Sequence, residues 1–177
     1  MKSTKAASRY ATALLELAIE QQKLDAVEKD MLHLLETAEE THDFQVFLNS
    51  PVIKVDKKIS ILKELFGQFD GLTTSFLTLI AKNGRESMMV EIASSYIDLL
   101  KAHRGIVPVT IVSASTLSNE AKSSILSKVA GYVNGQPEIT EKVNPDLIGG
   151  FVVKIGDKQI DASVATQLGR IRQALVN

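Results

Sequence analysis

The chain changes its hydrophobic period once, near Gly105, and this change constrains the fold more than any other feature of the sequence. Before Gly105, apolar side chains recur about every 3.6 residues, the period of an amphipathic helix. Residues 106–112 then read Ile-Val-Pro-Val-Thr-Ile-Val, and such β-branched runs favour a strand. We therefore place a domain boundary near residues 103–105, with one domain over 1–105 and a second over 106–177.

Composition changes at the same point. Of the 20 basic and 21 acidic side chains in the chain, residues 1–105 carry 13 and 15. The second part is charge-poor and holds six of the ten glycines and three of the four prolines, residues that mark turns. These shifts favour a charged helical domain followed by a mixed one.

The periodicity predicts a mainly α fold, with an N-terminal six-helix bundle followed by a smaller α+β domain. The helices of the first domain are expected at 4–21, 24–40, around Phe44–Leu48, 55–66, 71–82 and 86–103. In the second domain we expect strands at 106–114 and 138–143, a hairpin of 151–155 with 159–161 turning at Gly156-Asp157, and helices at 118–134 and 162–176. Asp161 is expected to be the N-cap of the last helix.

Charge and composition exclude several classes of function. The formal net charge of −1 over 177 residues argues against a protein that coats nucleic acid or an acidic membrane. The lack of cysteine excludes disulfides, thiolate zinc sites and cysteine nucleophiles. His33, His42 and His103 are widely separated and lack metal-ligand spacing. Glycine-rich phosphate loops are missing too, so we predict no cofactor, no metal site and no catalytic residue.

The start of the chain and its hydropathy predict where it works. Met1–Lys5 leads directly into an amphipathic segment with no apolar signal region, and no stretch approaches the roughly 20 apolar residues that span a bilayer. We expect a soluble, cytosolic protein that reaches a membrane only through partners.

Helices one and five carry more apolar surface than one core needs. On helix one, polar side chains are confined to the arc of Arg9, Thr12, Glu16 and Glu20, and residues 71–81 of helix five hold no charge. A surface helix of a small bundle needs an apolar stripe of only about 100°. Either both helices lie centrally in the bundle, or they form an exposed groove for a partner's amphipathic helix.

Four segments of the chain resemble one protein family. They are Ser-Arg-Tyr-Ala-Thr-Ala-Leu at 8–14, Phe-Leu-Thr-Leu-Ile-Ala-Lys-Asn-Gly-Arg at 76–85, Asp-Leu-Ile-Gly-Gly-Phe-Val-Val-Lys-Ile-Gly-Asp at 146–157, and Ile-Asp-Ala-Ser-Val at 160–164. In this order and spacing the chain resembles, over essentially its whole length, the delta subunit of the bacterial ATP synthase, the relative of the mitochondrial oligomycin-sensitivity-conferring protein. The stretch from the glycine pair through Ile-Asp-x-Ser is the most specific part.

The resemblance implies a non-catalytic stator connector of F1Fo ATP synthase. In that family the six-helix domain holds the N-terminal helix of an alpha subunit in a groove between its first and fifth helices, and the C-terminal domain meets the b subunits of the peripheral stalk. The connector keeps the F1 head from turning with the rotor, so that proton-driven rotation is coupled to ATP synthesis. The resemblance implies a peripheral location at the cytoplasmic face of the bacterial plasma membrane.

Position in the family pattern supplies candidate alpha-subunit contacts, some of which must instead face the bundle core. They are Tyr10, Ala13, Leu14 and Leu17 on helix one and Phe76, Leu79, Ile80 and Asn83 on helix five. Gly149, Gly150, Asp161 and Ser163 also match the family, but their residue types are better explained by structural roles. Two other hypotheses remain open: a helical adaptor for some other amphipathic helix, and a small enzyme that uses a cleft between the domains.

Overall fold

The fold is described from a computed structural model of the chain. It describes residues 4–116, 118–129, 131, 135–145, 147, 149–156, 158–168 and 173. The chain divides into two compact units, Met1–Leu100 and Lys101–Asn177. This division lies a few residues before the boundary expected at 103–105.

The first unit is built from helices. They are α1 (Lys5–Glu20), α2 (Leu24–Glu40), α3 (His42–Asn49), α4 (Val55–Leu65), α5 (Gly71–Lys82) and α6 (Met89–His103). A short 3-10 helix at Glu86–Met88 precedes α6, whose last three residues lie beyond the division at Leu100. Each α-helix buries an apolar stripe in one continuous core, as the 3.6-residue period requires. The largest fully buried apolar side chains of this core include Leu14, Met31, Ile80 and Tyr96.

The second unit combines a sheet with a helix that packs on it. Its elements are β1 (Ile106–Ser113), α7 (Asn119–Val129), β2 (Gln136–Val143), β3 (Gly150–Ile155) and β4 (Lys158–Ser163). The strand order is β2-β1-β3-β4; β1 and β2 are parallel, whereas β1–β3 and β3–β4 are antiparallel. Val109, Ile111, Val153 and Ile155 of the sheet pack with Ile125 of α7. The expected class, mainly helical with a smaller α+β part, is confirmed.

The start of the last helix was predicted wrongly. Ala162 and Ser163 belong to β4, and residues 164–168 are helical. Ser163 is the N-cap, because its Oγ accepts a hydrogen bond from Thr166 N at 3.3 Å. Asp161 instead braces the cap: its Oδ1 accepts from Ser163 N at 2.8 Å and its Oδ2 from Thr166 Oγ1 at 2.9 Å.

The glycine pair before β3 has a packing role. Gly150 has φ +79°, and a Cβ there would collide with the carbonyl oxygen of Ala162 in β4. A Cβ on Gly149 would lie 3.1 Å from Val164 Cγ2. Both glycines therefore let the start of β3 lie close to the segment in which β4 ends and the following helix begins.

Several predicted details lie outside the described residues. They are Asp157 of the hairpin turn, the predicted helix after 129 apart from residue 131, and the last helix after 168 apart from residue 173.

Candidate functional site

α1 and α5 contact each other and run antiparallel. Just after the C-terminal end of α1, Lys23 Nζ lies 2.9 Å from Oδ1 of Asp70, the N-cap of α5. At the opposite end, the guanidinium of Arg85, beyond the C-terminal end of α5, lies 5.4 Å from the ring centroid of Tyr10 in α1. Between these ends, the rings of Tyr10 and Phe76 meet edge to face at 6.4 Å.

Half of the eight candidate residues contribute to the core. Leu14 and Ile80 are fully buried, and Phe76 is 7% exposed. Tyr10 is half-buried and packs against the same core. Leu14 and Ile80 are therefore inaccessible to a partner, whereas Tyr10 and Phe76 lie where the core reaches the surface.

The other half of the candidates are exposed. Leu17 is 40% exposed and Leu79 50% exposed, and Ala13 and Asn83 are also exposed. Ala13 and Leu17 follow Tyr10 by three and seven residues, and Leu79 and Asn83 follow Phe76 by the same intervals, so each set shares one face of its helix. The α1–α5 face is defined here as the set Tyr10, Ala13, Leu17, Phe76, Leu79 and Asn83.

Three residues adjoining this face were not among the candidate contacts chosen from the sequence. Ala6 and Leu72, both half-buried, precede Ala13 and Leu79 by seven residues and so extend the two stripes. Helical spacing could have identified both. Arg85 stacks on Tyr10 from outside α5, and the sequence carries no signal for that contact.

The N-terminal end of α5 is held by polar contacts. Asp70 Oδ1 accepts from Leu72 N at 2.8 Å as well as from Lys23, and Asp70 N donates to Asp30 Oδ2 at 2.9 Å. The hydrogen bond from Lys23, followed by that from the Leu72 amide, holds the pKa of Asp70 below its ordinary value. Through these bonds the Asp70 carboxylate joins the start of α5 to the chain just after α1.

The N-terminal end of α1 is capped in a similar way. Thr4 Oγ1 accepts from Ala7 N at 3.3 Å. The same hydroxyl donates to Glu91 Oε2 of α6 at 3.1 Å, and Thr4 N donates to Glu91 Oε1. The N-terminal ends of both helices of the α1–α5 face are thus anchored by polar contacts to other parts of the first unit.

Comparison with known proteins assigns the chain to a family. The family model for the ATP synthase delta (OSCP) subunit matches residues 6–175. The chain belongs to this family. It is therefore a non-catalytic stator subunit of ATP synthase.

Similar proteins occur in bacteria and in mitochondria. ATP synthase subunit delta of Carboxydothermus hydrogenoformans is 35% identical over 175 residues, covering 99% of this chain and 99% of that protein. The mitochondrial ATP synthase peripheral stalk subunit OSCP of Pongo abelii is 34% identical over 171 residues, covering 94% of this chain and 80% of that protein. A chain of the Toxoplasma gondii mitochondrial ATP synthase hexamer shares the fold, with a TM-score of 0.75 at 23% identity over 98% of this chain and 99% of that one.

The described residues of this delta (OSCP) family member offer neither a metal site nor a membrane-spanning helix. Among the described residues, no three His, Cys, Asp or Glu side chains come together as metal ligands. None of the helices described is both long and apolar enough to cross a membrane. Two surface depressions lie away from the α1–α5 face, one between α4 and α5 around Ile59 and Thr78 and one along α3 around Val46.

Proposed function

We propose that the α1–α5 face binds an amphipathic helix, the N-terminal helix of an ATP synthase alpha subunit. In this proposal residues 1–105 act as a six-helix bundle that attaches to the F1 head, while residues 106–177 meet the b subunits. The protein then links the head to the peripheral stalk, peripherally at the cytoplasmic face of the bacterial plasma membrane. By resisting torque on the head, it couples proton-driven rotation to ATP synthesis.

The exposure of Leu17 and Leu79 beside the Tyr10–Phe76 contact is the observation that carries this proposal. Apolar side chains at helical spacing on two adjacent antiparallel helices match what an amphipathic helix needs on the surface that it packs against. Such interfaces draw most of their affinity from a few central apolar and aromatic residues. Family membership favours the alpha subunit over an unrelated helix as the occupant.

The helical adaptor hypothesis would use the same face, and family membership is what separates it from the connector. The enzyme hypothesis is set aside by family membership, because the delta (OSCP) subunit of ATP synthase is non-catalytic. For residues 106–177 the support is family membership alone, so no b-subunit contact residue is proposed.

Calorimetry with a peptide of the first ~20 residues of the cognate alpha subunit tests the proposal. We expect tight 1:1 binding to the full chain. Leu79→Glu should weaken binding by about 30-fold or more, because a charge would replace a central apolar contact. Ala13→Glu should weaken it as well, by placing a carboxylate on the opposite side of the face.

Leu65→Glu is the matched control. Leu65 of α4 is 52% exposed, against 50% for Leu79, and lies outside the α1–α5 face. This variant should bind like the wild-type chain, and circular dichroism should show all three variants folded. Failure of the wild-type chain to bind, or equal losses in Leu65→Glu and Leu79→Glu, would reject the proposed face.

A further inference from the structure

We infer that opposite charges at the two ends of the α1–α5 face fix the direction in which the partner helix binds. This inference rests on the proposed function, since it concerns the same face. The bound helix is one that carries acidic side chains near one end and basic side chains near the other.

One end of the face is basic. Lys5 and Arg9 lie toward the N-terminal end of α1, and Lys82 and Arg85 lie at and just beyond the C-terminal end of α5. The antiparallel arrangement brings these ends together, as the contact between Arg85 and Tyr10 shows. All four cationic residues are exposed.

The other end of the face is acidic. Glu16 and Glu20 are exposed on the last turns of α1 and flank Ala13 and Leu17 on the solvent side. The adjoining first turns of α5 carry no charged residue between 71 and 81. Glu16 and Glu20 therefore make the charge at this end of the face negative.

Nearby residues of opposite sign leave this polarity in place. At the basic end, Glu86 is already in an ion pair with Lys58, and the Glu91 carboxylate accepts both hydrogen bonds from Thr4. At the acidic end, Lys23 is paired with Asp70. The four positive charges of the basic end exceed the one negative charge of Glu91. At the acidic end, residues 71–81 of α5 include no lysine that could neutralise Glu16 or Glu20.

The spacing of the charges defines the ligand. Arg9 and Glu20 are 11 residues apart on α1, a separation of about 16 Å or three helical turns. The complementary helix has its acidic and basic side chains about 11 residues apart, flanking an apolar stripe. Since exposed ion pairs are individually weak, several together should favour one direction by about tenfold.

Two synthetic helical peptides of identical composition test this inference on the full chain. Both carry the same apolar stripe; one has glutamates at its N-terminal end and lysines at its C-terminal end, and the other has these charges exchanged. A nitroxide on the N-terminus of each peptide broadens the NMR signals of amides of the chain that lie near it. The first peptide should broaden signals around Arg9 and Asn83, and the second should broaden signals around Leu17 and Leu72.

Charge reversal provides the second measurement. The double variant Arg9→Glu, Lys82→Glu should lose the directional preference and bind either peptide about tenfold more weakly at low salt, with a smaller loss at high salt. The control Lys57→Glu, Lys63→Glu reverses two exposed charges on α4 and should leave binding unchanged.

The outcomes separate the two proposals. If both peptides bind but place their N-termini at the same end, or at both ends equally, charge does not set direction, although the α1–α5 face still binds a helix. If neither peptide binds the wild-type chain at any salt concentration, both proposals are wrong.

Discussion

Lys58 is a buried cation that joins three elements of the first unit. Its side chain is 2% exposed, and its Nζ donates to the carbonyl oxygen of Leu48 in α3 at 2.9 Å and to Glu86 Oε1, before α6, at 2.5 Å. Burying an ion pair is costly, so the pair itself adds little net stability. Removing one partner is different, because the other charge stays buried without compensation.

Lys58→Met should therefore destabilise the first unit by about 3–5 kcal/mol, since it strands the Glu86 carboxylate and the Leu48 carbonyl. The measurement is urea denaturation followed by helical circular dichroism. Lys57→Met, at the exposed neighbouring position, should change stability by less than about 0.5 kcal/mol. The double variant with Glu86→Leu should recover much of the loss, and failure to recover any would contradict the ion-pair explanation.

The same pair makes stability depend on pH. Burial raises the pKa of Glu86, but the hydrogen bond from Lys58, aided by the Glu86 backbone amide, outweighs it and lowers the pKa below its ordinary value of 4.5. A lowered folded-state pKa contributes stability above the unfolded-state pKa, and this contribution is lost as pH falls through the folded-state pKa.

The stability difference between wild type and Lys58→Met should accordingly be largest near neutral pH, begin to shrink where the uncompensated Glu86 of the variant takes up a proton, and become small below the lowered pKa of Glu86 in the wild type. Denaturation curves at pH values from 7 down to 3 measure it. In a Glu86→Gln background the Lys58→Met effect should vary much less over this range. An equally strong pH dependence in that background would assign the effect to another group.

At the scale of elements, α1 and α5 end in the same hydrogen-bonded motif with different residues. After α1, Lys23 N bonds Ala18 O at 2.8 Å and Gln22 N bonds Ile19 O at 3.1 Å. After α5, Arg85 N bonds Ile80 O at 3.1 Å and Gly84 N bonds Ala81 O at 2.9 Å. This Schellman motif needs a positive φ, which Gly84 adopts at +65° and Gln22 at +56°.

Gln22→Gly should stabilise the protein by about 0.5–1 kcal/mol, because glycine adopts the left-handed conformation without the Cβ penalty that glutamine carries. Thermal and urea unfolding measure the gain. Gln21→Gly is the control: Gln21 has φ −88°, so glycine there relieves no strain and should not stabilise. A gain of similar size in both variants would show that the conformation of Gln22 is not the cause.

The helices were predictable from sequence because their spacing encodes one buried stripe each, and α2 and α5 begin and end where the periodicity places them. Which candidate side chains stay exposed was not predictable. Leu79 and Ile80 have the same chemistry, and only the directions of the neighbouring helices decide that Ile80 is buried while Leu79 faces out. The last helix was misplaced because Asp161 and Ser163 are both good caps, and β4 pairing through Ser163 decides between them.

At the scale of the whole molecule, a stator connector needs firm attachment at two places rather than chemistry. The chain has a formal net charge of only −1, but a near-neutral total is compatible with this role. Local groups of like charge, such as those at the two ends of the α1–α5 face, can still direct binding. The fixed ends of α1 and α5 also matter, because attachment that resists torque requires a surface already in its binding conformation.

Loss of this attachment should uncouple an assembled ATP synthase. With Leu79→Glu in place of the wild-type chain, we expect ATP hydrolysis by the F1 head to continue, because catalysis does not reside in this subunit. Proton-driven ATP synthesis in reconstituted vesicles should fall severalfold, because a head released from the stalk turns with the rotor. Leu65→Glu, with matched exposure, should support synthesis at the wild-type rate. Full synthesis by the Leu79→Glu enzyme would mean that the head is held by a surface other than the α1–α5 face.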